Sequence, residues 1–424
     1  MKLEERAQQA TTAVRSLISD DECPRFDDIV RLADRSQRRR RATLAAAVLV
    51  VVFAAGALVA LPRGSSPSTV STDATVQSAT MTDGRTWIAV RTDTAGLGAD
   101  ASIATAAQSA NRLFFGGSNG IDASATARVW FSTDGEHWHQ ATVPERNGRV
   151  VAIAVSPTGS VLAIGARDSR PGANVTSFVW RSDDDGATFR EIAIGDGVFG
   201  DPAPVMGRPT VETLVWHSGG WLAGGGANTG SAGLWRSSDG VAWESLPVGS
   251  NRSGAMRLKI NSDGALVGYG INERWTAATL GTSGAAPQSM MVPPGYVIVD
   301  VAPDGVTAVG DPVLVHGQPT PLLRSADNGV TWTIDGRFAV QYPDARARQI
   351  TTVGSMLIGS GYSGDVTKAL PGAWYSTDGE HWQTLPDSLV TTATGALDII
   401  GAINGRVAMA SADVRGKSIY LLTL

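Results

Sequence analysis

Seven short apolar runs, each ending in small residues, punctuate the chain at 113–117, 161–165, 221–225, 265–270, 306–310, 356–361 and 407–411. Several follow a compact polar turn, such as Pro157-Thr158-Gly159, His217-Ser218-Gly219-Gly220, Pro303-Asp304-Gly305 or Asn404-Gly405. A brief apolar stretch entered through a Gly- and Asn/Asp-rich turn reads as the buried strand of a hairpin. The pattern predicts seven hairpins within residues 81–424, an all-β domain.

The first eighty residues follow a different rule. Leu3, Ala7, Ala10, Val14 and Leu17 recur at spacings of four and three, the apolar stripe of a helix. Pro24 suits the start of a second helix, with Phe26, Ile29, Val30 and Ala33 on one side. Four arginines at 38–41 then precede an uncharged apolar stretch at 42–61, long enough to cross a bilayer as a helix. The basic run on its N-terminal side favours a cytoplasmic N-terminus. A cleaved signal peptide is the rival reading, but the leader and the apolar core are both long for one. Residues 62–80, rich in Ser, Thr and Pro, read as a flexible tether. The expected organisation is therefore a short helical cytoplasmic segment (1–41), a transmembrane signal anchor (42–61), a linker (62–80) and an extracytoplasmic domain (81–424).

A polar turn recurs between the apolar runs. It reads Ser-Thr-Asp-Gly-Glu-His-Trp at 132–138 and again at 376–382, Ser-Ser-Asp-Gly-Val-Ala-Trp at 237–243, Ser-Ala-Asp-Asn-Gly-Val-Thr-Trp at 325–332 and Ser-Asp-Asp-Asp-Gly-Ala-Thr-Phe at 182–189. Ser and Asp side chains can capture nearby backbone N–H groups, and Gly admits the positive φ of a sharp reversal. The aromatic residue then starts the next strand with its ring inward. The motif resembles the Asp box, S-x-D-x-G-x-x-W, of BNR-repeat β-propellers, a group that includes the sialidases. Its matching positions are Ser132, Asp134, Gly135 and Trp138; Ser182, Asp184, Gly186 and Phe189; Ser237, Asp239, Gly240 and Trp243; Ser325, Asp327, Gly329 and Trp332; and Ser376, Asp378, Gly379 and Trp382. Three of the five copies are one residue short of the family pattern. The resemblance implies a β-propeller over 81–424 and a structural role for these residues.

Two signals count the blades. The turn glycines fall at 135, 186, 240, 329 and 379, and a degenerate copy around Gly284, with Ser283 for Asp and Pro287 for Trp, fills the wide gap. The apolar runs number seven. Met81-Thr82-Asp83-Gly84-Arg85-Thr86-Trp87 supplies a partial turn at the start of the domain, and 418–424 supplies a strand at its end. Pairing the strand after Trp87 with 418–424 would close a seven-bladed ring and remove an open edge. Six blades with a stray hairpin is the alternative.

Composition narrows the chemistry. A net charge of -5 argues against a nucleic-acid partner. Cys23 is the only cysteine, so neither a disulfide nor a zinc site is expected. A helical segment beside a membrane span resembles bacterial anti-sigma factors, whose zinc-binding His and Cys residues are absent here. Neither a metal nor another cofactor is expected. His137 and His381 belong to turns, and the repeated aspartates sit on different blades, too far apart for paired glycosidase carboxylates.

Binding residues are expected on the longer connections at 117–128, 166–177, 195–210, 310–320, 339–348 and 361–372. The candidates there are Arg170, Arg208, His316, Arg346 and Asp365, with Asp168, Asp311, Tyr342 and Asp344 beside them. The resemblance would also imply an arginine-triad hydrolase, but the F/Y-R-I-P motif of sialidases does not occur. Three functions remain: a non-catalytic binding or scaffold propeller for an extracytoplasmic protein or glycan, a sialidase-type hydrolase, and a signalling protein whose residues 1–41 hold a cytoplasmic regulator. The first is favoured and is compatible with the third.

Overall fold

The computed structural model describes residues within 77–423, leaving out 81–83, 85, 92–95, 99, 121–124, 136, 168–176, 196–197, 200–210, 227–231, 249–254, 262–263, 271–272, 277–286, 313–319, 365–369, 385–396, 404–405 and 412–417. The expected cytoplasmic segment, transmembrane helix and most of the tether lie outside the described residues, as does the degenerate turn around Gly284. The chain divides between Ser71 and Thr72, and all the described residues belong to the second unit, Thr72–Leu424.

This second unit is a β-propeller. Strands β1 (Gln77–Thr80) and β2 (Thr86–Arg91) come first. Six four-stranded sheets come next in chain order. They are β3 (Ala101–Gln108), β4 (Leu113–Asn119), β5 (Thr126–Ser132) and β6 (His139–Gln140); β7 (Arg149–Val155), β8 (Val161–Ala166), β9 (Ser177–Ser182) and β10 (Arg190–Ile192); β11 (Val211–His217), β12 (Gly220–Gly226), β13 (Ala232–Ser237) and β14 (Glu244–Leu246); β15 (Arg257–Ile260), β16 (Leu266–Gly270), β17 (Glu273–Thr276) and β18 (Gln288–Ser289); β19 (Tyr296–Val301), β20 (Thr307–Pro312), β21 (Leu322–Ser325) and β22 (Trp332–Asp335); and, after helix α1 (Gly336–Gln341), β23 (Ala345–Val353), β24 (Met356–Ser363), β25 (Leu370–Ser376) and β26 (Gln383–Thr384). Every pairing within them is antiparallel, between consecutive strands.

The last sheet is composite. β27 (Leu397–Ile403), β28 (Arg406–Ser411) and β29 (Ser418–Thr423) join β2 and β1 in the order β1-β2-β29-β28-β27. Trp87 stands opposite Leu422 and Arg91 opposite Ser418, so the first and last stretches of the unit are zipped together. The closing pair matches the one predicted from the two sequence ends. The fifth strand does not: Gln77–Thr80, expected in the flexible tether, pairs residue by residue with Thr86–Ala89. Its Ser and Thr residues carry no apolar signal, yet they satisfy the outer edge of β2 with backbone hydrogen bonds.

The apolar runs are the second strands, β4, β8, β12, β16, β20, β24 and β28. Leu113–Ser118 and Val161–Ala166 are buried without interruption. Each such strand lies against a neighbouring sheet on both faces, so alternation disappears. Large rings fill the space between sheets: Phe115 stacks on Trp138 with centroids 3.8 Å apart and an angle of 12°. Trp130, Trp180, Trp275 and Trp374 are each fully buried on third strands. One cluster joins Trp87, Val407 and Met409 of the composite sheet to Ile358 and Tyr375 of its neighbour, and another joins Ala408 to Leu113 and Phe115 on the other side. Apolar packing therefore runs through the closing sheet in both directions.

Helix α1 departs from the sequence expectation. Residues 339–348 read as a loop, but Asp335 accepts from the N–H of Arg337 and starts a short helix whose Phe338 is buried. Phe338 meets Trp374 and Trp382 edge to face, at 5.4 Å from each.

Candidate functional site

The recurring turns are built alike. In each, the Ser hydroxyl accepts from the turn Gly N–H at 2.8–2.9 Å and donates to the Asp carboxylate two residues on. The same carboxylate oxygen accepts from one or two N–H groups further along, those of His137, Thr188, Val241 and Ala242, Val330 and Thr331, and Glu380 and His381. The two longer copies differ by one inserted residue, Asp185 or Asn328, held at a left-handed φ of 55° or 57°. That residue absorbs the extra length, and the hydrogen bonds stay in place.

These bonds favour the ionised carboxylates. The N–H of Thr331, with the Ser325 hydroxyl, holds Asp327 down at about 2, and the His381 N–H with its ring holds Asp378 well below the usual carboxylate range. His381 responds in kind: its ring, hydrogen-bonded to Asp378 at 2.7 Å, is raised although 84% exposed. The turn carboxylates are thus consumed by their own backbone.

The turns are also fastened from outside. Arg181, just before Ser182, donates to the Asp239 carbonyl in the next sheet's turn at 2.5 Å. Arg324, just before Ser325, donates likewise to the Gly379 carbonyl. In the first sheet that position is Phe131; there Arg112 lies over the Phe131 ring and reaches the Asp185 carbonyl. Arg236, at the same position in the third sheet, instead pairs with Glu244 of its own sheet at 3.0 Å.

A second set of polar contacts links the first strands, which are neighbours from sheet to sheet around the ring. β11, β19 and β23 each carry a bulge, and the skipped residues are Glu212, Val299 and Arg348. A bulge removes a residue from its own ladder, and here all three bond across sheet boundaries. Arg257 donates to Glu212 at 3.0 Å and to the Val299 carbonyl at 2.9 Å; Arg348 lies 3.4 Å from Asp398. Lys259 pairs with Asp300 at 2.6 Å, and the other oxygen of Asp300 accepts from the Ile350 N–H. Burial works against the Arg257 charge, but Glu212 outweighs it and the guanidinium is raised. Asp398 is 51% exposed, yet enough protein crowds it to push its carboxyl up, with Arg348 offsetting only part. Cross-strand charges here meet opposite charges, an arrangement of latches. Among the described residues no group of three or more His, Cys, Asp or Glu is placed to hold a metal.

Of the five main candidates for binding, Arg170, Arg208, His316 and Asp365 lie outside the described residues, as does Asp168. Arg346 is half-buried at the start of β23 and donates to the Ala345 carbonyl at 3.1 Å. Asp311 and Asp344 are exposed. Tyr342 proves to be a structural residue: its ring packs on Phe338 and Trp374, and its hydroxyl donates to the Trp382 carbonyl at 2.8 Å. Nothing in the residue pattern signals the inter-sheet arginines or the first-strand latches, because several of their partners are main-chain carbonyls.

No protein-family model matches the chain, and no curated protein matches it. Among solved structures it is similar to a catalytically inactive virginiamycin B lyase from Staphylococcus aureus with quinupristin, at 13% identity and a TM-score of 0.48, covering 82% of this chain and 99% of that one. It is also similar to the β-propeller domain of the Trilobed protease from Pyrococcus furiosus, at 10% identity and a TM-score of 0.44, covering 76% of this chain and 93% of that one.

Proposed function

We propose that this chain is a membrane-tethered, extracytoplasmic β-propeller that binds a protein or glycan and catalyses no reaction. The observation that carries this reading is the fate of its recurring carboxylates. Each accepts from N–H groups of its own turn, so the most repeated polar chemistry in the chain serves the scaffold. On this reading the turns are Asp boxes, and the composite sheet counts as the seventh blade of the ring. Ligand contacts fall to the longer connections on the opposite face, with Arg170, Arg208, His316, Arg346 and Asp365 as candidates. The stretch 42–61 anchors the protein with residues 1–41 in the cytoplasm.

A sialidase-type hydrolase is the competing reading, because arginines on that face could clamp a carboxylate. The test places a photo-crosslinking residue at position 344 or 346, or at 137 on the turn face, in intact membranes. Capture of a discrete partner from 344 or 346 but not from 137 is expected. Equal capture from both faces would overturn the assignment. So would turnover of a fluorogenic sialoside that Arg346→Ala abolishes in folded protein.

A further inference from the structure

The turn-bearing face holds a cavity that the loop-face reading does not use. It measures about 760 Å³ and opens where three sheets meet. Gln108 and Asn111 reach it from the β3–β4 turn, Thr158 from the β7–β8 turn, Asp185 from the β9–β10 turn, and Trp216 from β11. We infer that this cavity is a binding site for a neutral saccharide.

Its chemistry selects that class. The walls offer side-chain amides, hydroxyls, one carboxylate and one indole, with no lysine or arginine among them. Asp185 is compensated from behind by Arg112, whose Nε lies 3.6 Å from one carboxylate oxygen. The other carboxylate oxygen is buried without a hydrogen-bond partner. A cavity so balanced holds neither the cations that would draw an anion nor the uncompensated negative charge that would draw a basic peptide. It does hold what a ring of hydroxyls requires: acceptors and donors around an amphipathic aromatic surface. Its volume is within the range of small-molecule sites.

The site is also rigid before any ligand arrives. Trp216 is half-buried and braced edge to face on Trp221, at 4.9 Å and 80°. Ser109 accepts from the N–H groups of Asn111 and Arg112 at 3.3 and 3.0 Å. Ser156 bonds Thr158 at 2.9 Å and accepts from the Ser160 N–H at 3.1 Å. Turns fixed in this way lose little freedom on binding. The inference does not rest on the loop-face reading and would survive its failure.

The test is saturation-transfer NMR on the full chain in a polyoxyethylene detergent, which has no sugar headgroup, with cellotetraose, maltotetraose and chitotetraose as separate probes. At least one should bind. Trp216→Ala should weaken that binding about tenfold, and Thr158→Trp, which fills the cavity from an exposed turn, should abolish it. Asn111→Ala, also exposed, should weaken it measurably. If Trp216→Ala fails to fold, the two turn variants decide. The inference is overturned if none of the three probes binds the wild-type chain, or if binding persists unchanged in both turn variants.

Discussion

Arg112 and Asp185 belong to different sheets, yet the Arg112 guanidinium donates to the Asp185 main-chain carbonyl at 2.8 Å while lying 4.6 Å from the centre of the Phe131 ring. Arg181 and Arg324 reach the same kind of carbonyl from the position that Phe131 occupies in its own sheet. One inter-sheet bond is thus made by two routes. Replacing Arg112 or Arg324 by Met should cost about 1.5–3 kcal/mol, the range for hydrogen bonds to charged groups. The two sites share no partner, so the losses should add. Arg236→Met, which removes only an exposed pair within one sheet, should cost about 1 kcal/mol or less. Chemical denaturation of the four proteins would measure this ranking, and equal losses would contradict it.

Within a turn, the buried hydroxyl should matter more than its size suggests. Ser376 is 1% exposed and serves both the Gly379 N–H and Asp378. Ser376→Ala leaves that N–H buried and unpaired, at a cost of about 1–3 kcal/mol. Trp382→Ala should cost about 3–5 kcal/mol through the cavity it opens beside Phe338. Urea midpoints measured at constant m-value would check both.

The turn carboxylates predict an acid limb. Asp327 and Asp378 titrate lower in the folded chain than in the unfolded one. Their stabilisation is complete above the unfolded carboxylate value of about 4 and is lost as pH falls through the folded values, about 2 for Asp327. His381 has the opposite sign: its raised value gives stability below the imidazole's unfolded value of about 6.5, lost as pH rises through the folded one. Asp378→Asn should therefore flatten the melting-temperature profile at both ends. An unchanged profile between pH 2 and 9 would show that the turn charges are not linked to folding.

Ring closure gives the largest expected effect. Deleting 418–424 removes the strand that joins β28 to β2, exposing Trp87 and creating two open edges. Calorimetry should show loss of the cooperative transition, not a displaced one. Removing Gln77–Thr80 alone takes away only an outer strand, so the transition should persist with a lower midpoint.

Legibility in the sequence depends on what leaves a trace in side chains. The second strands stand out because both faces are buried, and the turns stand out because Ser, Asp and Gly are each required by a specific bond or φ. Helix α1 leaves little trace: six residues with one buried ring, Phe338, make no periodic stripe. The fifth strand is Ser, Thr, Ala and Gln, indistinguishable from a linker until β2 offers an edge. The arginine bonds to Asp185, Asp239 and Gly379 end on carbonyls that every residue carries. The candidate cavity draws Asn111, Thr158, Asp185 and Trp216 from four separate connections or strands, so only the ring brings them together.

The composite sheet imposes an order of events on biosynthesis. β2 leaves the ribosome more than three hundred residues ahead of the strand it zips to, β29. At roughly 5–20 residues per second, Trp87 waits on the order of 15–65 s for the partner that covers its sheet edge. Throughout that interval the growing propeller is an open arc with an apolar face at each end. A factor that recognises unpaired strands would therefore find its substrate in the nascent chain, and lose it when the six residues of β29 arrive.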